Sequence, residues 1–142
     1  MIKHIMVPYD QSEPAGRAFE FAMDLAKKYG ARISIVSCIV PQSPMDPTFA
    51  TAYGETLILM RKAATAALAK LEVKIKEAGI PDKADVLEGL SITDELMSYA
   101  DAHQVDLIVM GSRGLGGFRK LLLGSVASGV IQHAKCPVLI IK

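Results

Sequence analysis

Asp106-Leu107-Ile108-Val109-Met110-Gly111-Ser112-Arg113-Gly114, with Gly124-Ser125 after nine intervening residues, joins a short apolar run to a glycine-rich turn and then to a helix start. Residues 106–110 read as a buried strand. Glycines after such a strand permit φ > 0 and let an anion approach without meeting a Cβ. A helix beginning at Gly124-Ser125 adds unpaired N–H groups and the positive end of its dipole. Arg113, Arg119 and Lys120 lie in the same stretch and can screen phosphate charge. The chemistry these residues imply is capture of a phosphate chain.

Outward from this stretch, strand and helix signals alternate along the chain. Residues 2–8 form an apolar strand ending at a proline, and Asp10, Ser12 and Pro14 are helix-start signals. Ala15, Ala18, Phe19, Ala22, Met23, Ala26 and Tyr29 recur at helical spacing, and Gly30 stands where a helix stops. Residues 31–40 read as a second strand. Residues 41–53, with three prolines at their start, read as a loop with room for one helical turn. Residues 55–78, rich in Ala, Leu, Lys and Glu, read as a long helix, and 84–88 as a short third strand. Ser91 with Asp94 suits a helix start of capping-box type. Residues 124–134 then form a fourth helix and 137–141 a fifth strand. Continuously apolar strands alternating with helices predict a single domain, 1–142, of the α/β class. Its sheet is doubly wound, five-stranded and parallel, with helices on both faces in a Rossmann-like arrangement. Ligands of such sheets bind beyond the carboxyl ends of the strands, where Tyr9-Asp10-Gln11, Cys38-Ile39-Val40 and Gly111 onward lie.

Composition narrows the function classes. Sixteen basic and fifteen acidic residues give a formal charge of +1, which does not suggest bulk electrostatic binding to nucleic acid or to an anionic membrane. No run has transmembrane length and the N-terminal residues lack a secretory pattern, so a cytoplasmic protein is expected. Cys38 and Cys136 are expected as reduced, buried thiols, and His4, His103 and His133 lack metal-ligand spacing. There is no Gly-x4-Gly-Lys-Ser/Thr, no dinucleotide fingerprint after the first strand and no Gly-x-Ser-x-Gly elbow.

The pattern Gly111-x2-Gly114-x9-Gly124-Ser125 resembles the ATP-binding signature of the universal stress protein family. Ile5-Met6-Val7-Pro8-Tyr9-Asp10-Gln11-Ser12 resembles that family's opening strand. Gly124-Ser125-Val126-Ala127 and Ala134-Lys135-Cys136-Pro137-Val138-Leu139-Ile140-Ile141 resemble its closing helix and strand. The likeness runs along essentially the whole chain and is weakest between residues 41 and 56. It implies an adenine nucleotide alpha hydrolase-like fold and a homodimeric, ATP-binding, nucleotide-responsive stress regulator.

The same resemblance implies the site. Asp10 would accept hydrogen bonds from ribose hydroxyls, Pro8 and Tyr9 would line the nucleoside pocket, and main-chain groups near Cys38 and Ile39 would meet adenine. Met110 would pack near the ribose. Gly111, Ser112, Arg113, Gly114, Gly124 and Ser125 would hold the phosphates, with N–H groups of Val126 and Ala127 from the first helical turn. Any metal would be Mg²⁺ held mainly by phosphate oxygens and water. Ser37 stands where many relatives carry His, Gly89-Leu90-Ser91 replaces a common Gly-x-Pro, and Ala127 replaces a Thr or Glu of some relatives. No catalytic residue is evident, so hydrolysis of ATP is expected to be slow at most. A scaffold of the same fold that uses no nucleotide is the alternative, a slow ATPase another. The apolar last strand is expected at a sheet edge, where pairing across a two-fold axis would cover it. An unidentified protein partner would read the nucleotide-bound surface.

Overall fold

Ile5, Met6 and Val7 are fully buried, and the strand they form lies at the centre of the sheet. The computed structural model describes residues 1–41, 46–115 and 122–142. Along the chain run β1 (His4–Pro8), α1 (Glu13–Tyr29), β2 (Arg32–Ile39), a 3₁₀ turn (Pro47–Phe49) and α2 (Ala50–Glu77). Then come β3 (Asp82–Glu88), α3 (Ile92–Ala102), β4 (Leu107–Gly111), α4 (Ser125–His133) and β5 (Val138–Ile141). The five strands lie in the order β3-β2-β1-β4-β5 and every neighbouring pair is parallel. The chain therefore lays β1, β2 and β3 toward one edge, then returns to place β4 on the other side of β1. This reversal between β1 and β4 opens a crevice at the carboxyl ends of those two strands.

Alternate strand residues point to opposite faces. Ile5, Val7, Ile33, Ile35, Leu107 and Val109 pack with Phe19 of α1 and with Leu68, Leu71 and Ile75 of α2. Met6, Val36, Ile108 and Met110 pack with Leu96 and Tyr99 of α3 and with Ala127 and Val130 of α4. The doubly wound, Rossmann-like arrangement expected from the alternation is thus present, with helices on both faces. Burying about two dozen apolar side chains in this way is the main favourable term, at roughly 1.5–3 kcal/mol for each large one. No described helix is long and apolar enough to cross a membrane.

Local signals set the ends of α1 as the sequence predicts. The Ser12 hydroxyl accepts from the Ala15 N–H at 3.3 Å, and Gly30 closes the helix at φ 66° with its N–H on the Ala26 carbonyl. The Ser91 hydroxyl caps α3 in the same way, accepting from the Asp94 N–H at 3.2 Å.

Three expectations are corrected. The long helix begins at Ala50 rather than at 55, because Asp46 caps a 3₁₀ turn through the Thr48 N–H at 2.8 Å and that turn feeds straight into α2. Residues 42–45, the start of the expected loop, lie outside the described residues. The third strand begins at Asp82, two residues early, because β2 pairs with it from Ile33↔Asp82 onward and an edge strand tolerates polar residues. Cys38 and Cys136 are free thiols that are half-buried, not buried.

Candidate functional site

Ser112 ties together the segment that follows β4. It is buried, its N–H donates to the Ile141 carbonyl at 2.8 Å, and its carbonyl accepts from the Gly124 N–H at 2.7 Å. The chain between Ser112 and Gly124 is thereby closed at its base, and α4 begins at once. Gly124 supplies no side-chain cap, and the first bond of the helix runs from the Ser128 N–H to the Gly124 carbonyl at 3.0 Å. The amides of Ser125, Val126 and Ala127 thus have no intrahelical acceptor, and they carry the positive end of the α4 dipole. The Gly124 amide itself is spent on Ser112. Ala127 is buried in the core, so it offers this end only its N–H, while Ser125 is exposed.

The glycines serve space rather than unusual dihedrals. Among the described residues the positive-φ positions are Gly30, Gly79, Gln11 and Gln104, so Gly111, Gly114 and Gly124 need no φ > 0. At Gly111 a Cβ would come within 2.8 Å of the Pro14 carbonyl carbon and 2.9 Å of the Ala15 nitrogen. Gly111 therefore lets the first turn of α1 pack on the end of β4. At Gly114 a Cβ would lie 2.6 Å from Asp10 Oδ2. The space at Gly124 is less tight, its nearest neighbour being Arg113 Cα at 3.4 Å.

Asp10 is the side chain that meets this loop. Its Oδ1 accepts from the Ser12 N–H at 3.0 Å and its Oδ2 from the Leu115 N–H at 3.3 Å. The helix-capping role an aspartate here could take belongs instead to Ser12. Gln11, between the two, is held at φ 68°, a left-handed conformation uncommon for a side-chain-bearing residue and costing of order 1 kcal/mol. That strain aims the Asp10 carboxylate across the crevice at the loop after β4.

Strand parity sorts the remaining predicted residues. Tyr9 packs its ring into the α1/α2 half of the core, and its main chain is engaged: the N–H donates to the Val36 carbonyl at 2.8 Å and the carbonyl accepts from Ser37 Oγ at 2.6 Å. Pro8 and Met110 address the other face, so Pro8 and Tyr9 do not line one wall together. Met110 is buried among core residues. In β2, Arg32 donates to Lys3 before β1, whereas Ile33 donates to Pro81 and the Ile39 carbonyl accepts from Gly89 at 3.1 Å, both toward β3. Ladder bonds alternate, so the N–H and carbonyl of Cys38 face the β1 side, beyond the point where β1 has ended. The main chain of Cys38 therefore faces the crevice, and that of Ile39 does not. Burial first, and the Glu95 carboxylate second, push the Cys38 thiol up to about 11, so it stays protonated at neutral pH.

Two features here carry no sequence signal. The Leu115 N–H and the Glu95 carboxylate reach the site through tertiary approach alone. Arg119 and Lys120 lie outside the described residues, and Arg113 stands in the loop between Ser112 and Gly114. Among the described residues no group of three or more His, Cys, Asp or Glu could hold a metal ion. An open cleft of about 620 Å³ lies at the opposite end of the sheet, lined by Lys3, His4, Arg32 and Asp106 among others.

An uncapped helix start, a loop joined at its base and a carboxylate beside it border the crevice at the switch point of a doubly wound α/β protein. The model of the universal stress protein family matches residues 1–142. The chain belongs to the universal stress protein family. It is 34% identical over its full length to universal stress protein MJ0531 of Methanocaldococcus jannaschii, covering 83% of that protein. Among solved structures, universal stress protein UspA from Lactobacillus plantarum superposes with a TM-score of 0.90 at 25% identity, covering 99% of this chain and 97% of that one. A universal stress protein solved in complex with cAMP superposes at 0.72 with 27% identity, covering 99% and 97%.

Proposed function

We propose that this protein binds an adenine nucleotide, ATP with Mg²⁺, in the crevice between β1 and β4 and acts as a nucleotide-responsive stress regulator rather than as a catalyst. The observation that carries the reading is the uncapped start of α4 facing a loop that Ser112 and Gly124 close. Amides of Ser125, Val126 and Ala127 would receive phosphate oxygens, with Gly114 leaving the room a Cβ would take. Asp10 would exchange its Leu115 N–H for ribose hydroxyl donors. The Cys38 main chain would meet the base, and Pro8 and Met110 lie on the same face of the sheet. The relative with bound cAMP supports an adenine nucleotide as the ligand class. Nucleotide exchange at Asp10 would release and re-form the loop around residues 113–115, and a partner protein would read that change. The assembly we propose is a homodimer paired through β5, in the cytoplasm.

Ligand binding to the native state raises stability by RT ln(1 + [L]/Kd), about 2.7 kcal/mol at a hundredfold excess over Kd. For a chain of this size that is a rise in melting temperature of about 8–12 °C with saturating MgATP. Gly114→Asp, which puts bulk and negative charge against Asp10 and the phosphates, is expected to abolish both the shift and the calorimetric heat of ATP binding. Equal melting with and without MgATP, and no heat, would point to the scaffold that uses no nucleotide.

A further inference from the structure

The α3/α4 face of the crevice, which Pro8, Cys38 and Met110 address, is bordered by the first turn of α3. Glu95 stands in that turn. Its side chain lies over Gly89 so closely that a Cβ there would collide with Glu95 Cγ, Cδ and Oε1. Gly89 is bonded through its N–H to the carbonyl of Ile39, which places the Glu95 carboxylate beside the last residues of β2. The charge is near enough to act on the Cys38 thiol. Glu95 is half-buried, and among the described residues its carboxylate has neither a hydrogen-bond donor nor a cation as partner. Its oxygens are not shut off from solvent, so the carboxylate is free to accept from a donor that a ligand brings.

The neighbouring groups define which donor suits it. The N–H and carbonyl of Cys38 face the crevice as a donor–acceptor pair, which complements the edge of adenine that carries N1 and the 6-amino group. That amino group has two hydrogens. One would go to the Cys38 carbonyl and leave the other directed outward. A 6-oxo purine presents lone pairs there instead, and a carboxylate repels them.

We propose that Glu95 selects a 6-amino purine over a 6-oxo purine, its carboxylate accepting a hydrogen bond from the exocyclic amino group of a base seated against the main chain of Cys38. This rests on the nucleotide reading above, which places the base at the Cys38 main chain but gives Glu95 no role. ATP and inosine triphosphate differ only at the relevant edge of the base, so they are the probes.

Isothermal titration of the full chain with MgATP and with Mg-inosine triphosphate is expected to show ATP bound at least about tenfold tighter, the scale of one charge-assisted hydrogen bond. In Glu95→Gln the side-chain amide can turn either its oxygen or its NH₂ to the base, so the two affinities are expected to converge to within about threefold. In Glu95→Ala, ATP is expected to weaken toward inosine triphosphate. Melting curves without ligand check that both variants are folded. If the wild-type chain binds ATP but the ratio is the same in all three proteins, Glu95 does not read the base and the selection is overturned while nucleotide binding stands. If the wild-type chain binds neither nucleotide, the functional reading falls and the selection with it.

Discussion

His4 shows what a single residue does when the fold removes it from water. It is 3% exposed at the start of β1, with Nδ1 3.0 Å from the His103 carbonyl and Nε2 2.7 Å from Ser34 Oγ. A carbonyl can only accept, so Nδ1 donates, and in the neutral ring Nε2 accepts from the Ser34 hydroxyl. Burial pushes the His4 pKa below its ordinary value. The nearby Arg32 and His103 charges act in the same direction, while the His103 carbonyl and the Asp106 carboxylate oppose them. The unfolded chain then binds a proton that the folded chain refuses, so stability is complete above about pH 6.5 and falls as the pH drops below it. The urea midpoint is expected to fall between pH 7.5 and pH 5.5, and to fall less in His4→Gln, which cannot titrate. Equal falls in the two proteins would exclude this origin. None of this was legible in the sequence, where His4 is one of three scattered histidines. The place of Asp10 was legible, since a residue two positions beyond the end of the first strand lies at the carboxyl end of the sheet. Its hold on the Leu115 N–H was not, because the two are brought together only by the return of the chain beside β1.

At the scale of elements, α2 divides into two halves. Leu68, Leu71 and Ile75 bury the second half on β2 and β3, while Ile58, Leu59 and Met60 in the first half remain largely exposed. Propensity and not packing governs that first half, and Gly54 is its weak point. A Cβ there would meet nothing within 4 Å. Gly54→Ala is therefore expected to stabilise the protein by about 0.5–1 kcal/mol in urea denaturation, leaving nucleotide binding unchanged. The sequence-based start of this helix came five residues late because Thr51, Tyr53 and Gly54 interrupt the alanines with weaker helix formers, and it is the capped turn at Pro47–Phe49 that starts the helix. Both ends of α1 and the start of α3 matched closely because Ser12, Gly30 and Ser91 carry their capping chemistry in their own side chains or dihedrals. At α4 the signal worked in reverse. The helix start is functional in this reading because Gly124 caps nothing.

For the whole molecule the decisive feature is that β5 forms one edge of the sheet. Ladder bonds from Ile108 to Pro137 and from Ser112 to Ile141 put the odd-numbered residues of β5 toward β4. The main-chain groups of Val138 and Ile140 therefore face outward. Ile140→Pro deletes an outward N–H and spares the ladder to β4, so it is expected to convert the proposed dimer to monomer in sedimentation velocity. A wild-type monomer would remove that proposal. By itself the sequence determined the class of fold, the order of its elements and the position of the glycine-bearing loop after the fourth strand. Those properties follow from local patterns: apolar runs of strand length, helical periodicity, caps and glycines. Only the tertiary structure decided why the glycines are there, which face Tyr9 takes, which residue of β2 turns its main chain to the crevice, and that Glu95 stands beside it. These depend on strand register and on the crossing back from β3 to β4, which bring residues far apart in the chain within a few ångströms, and no local pattern encodes such distances.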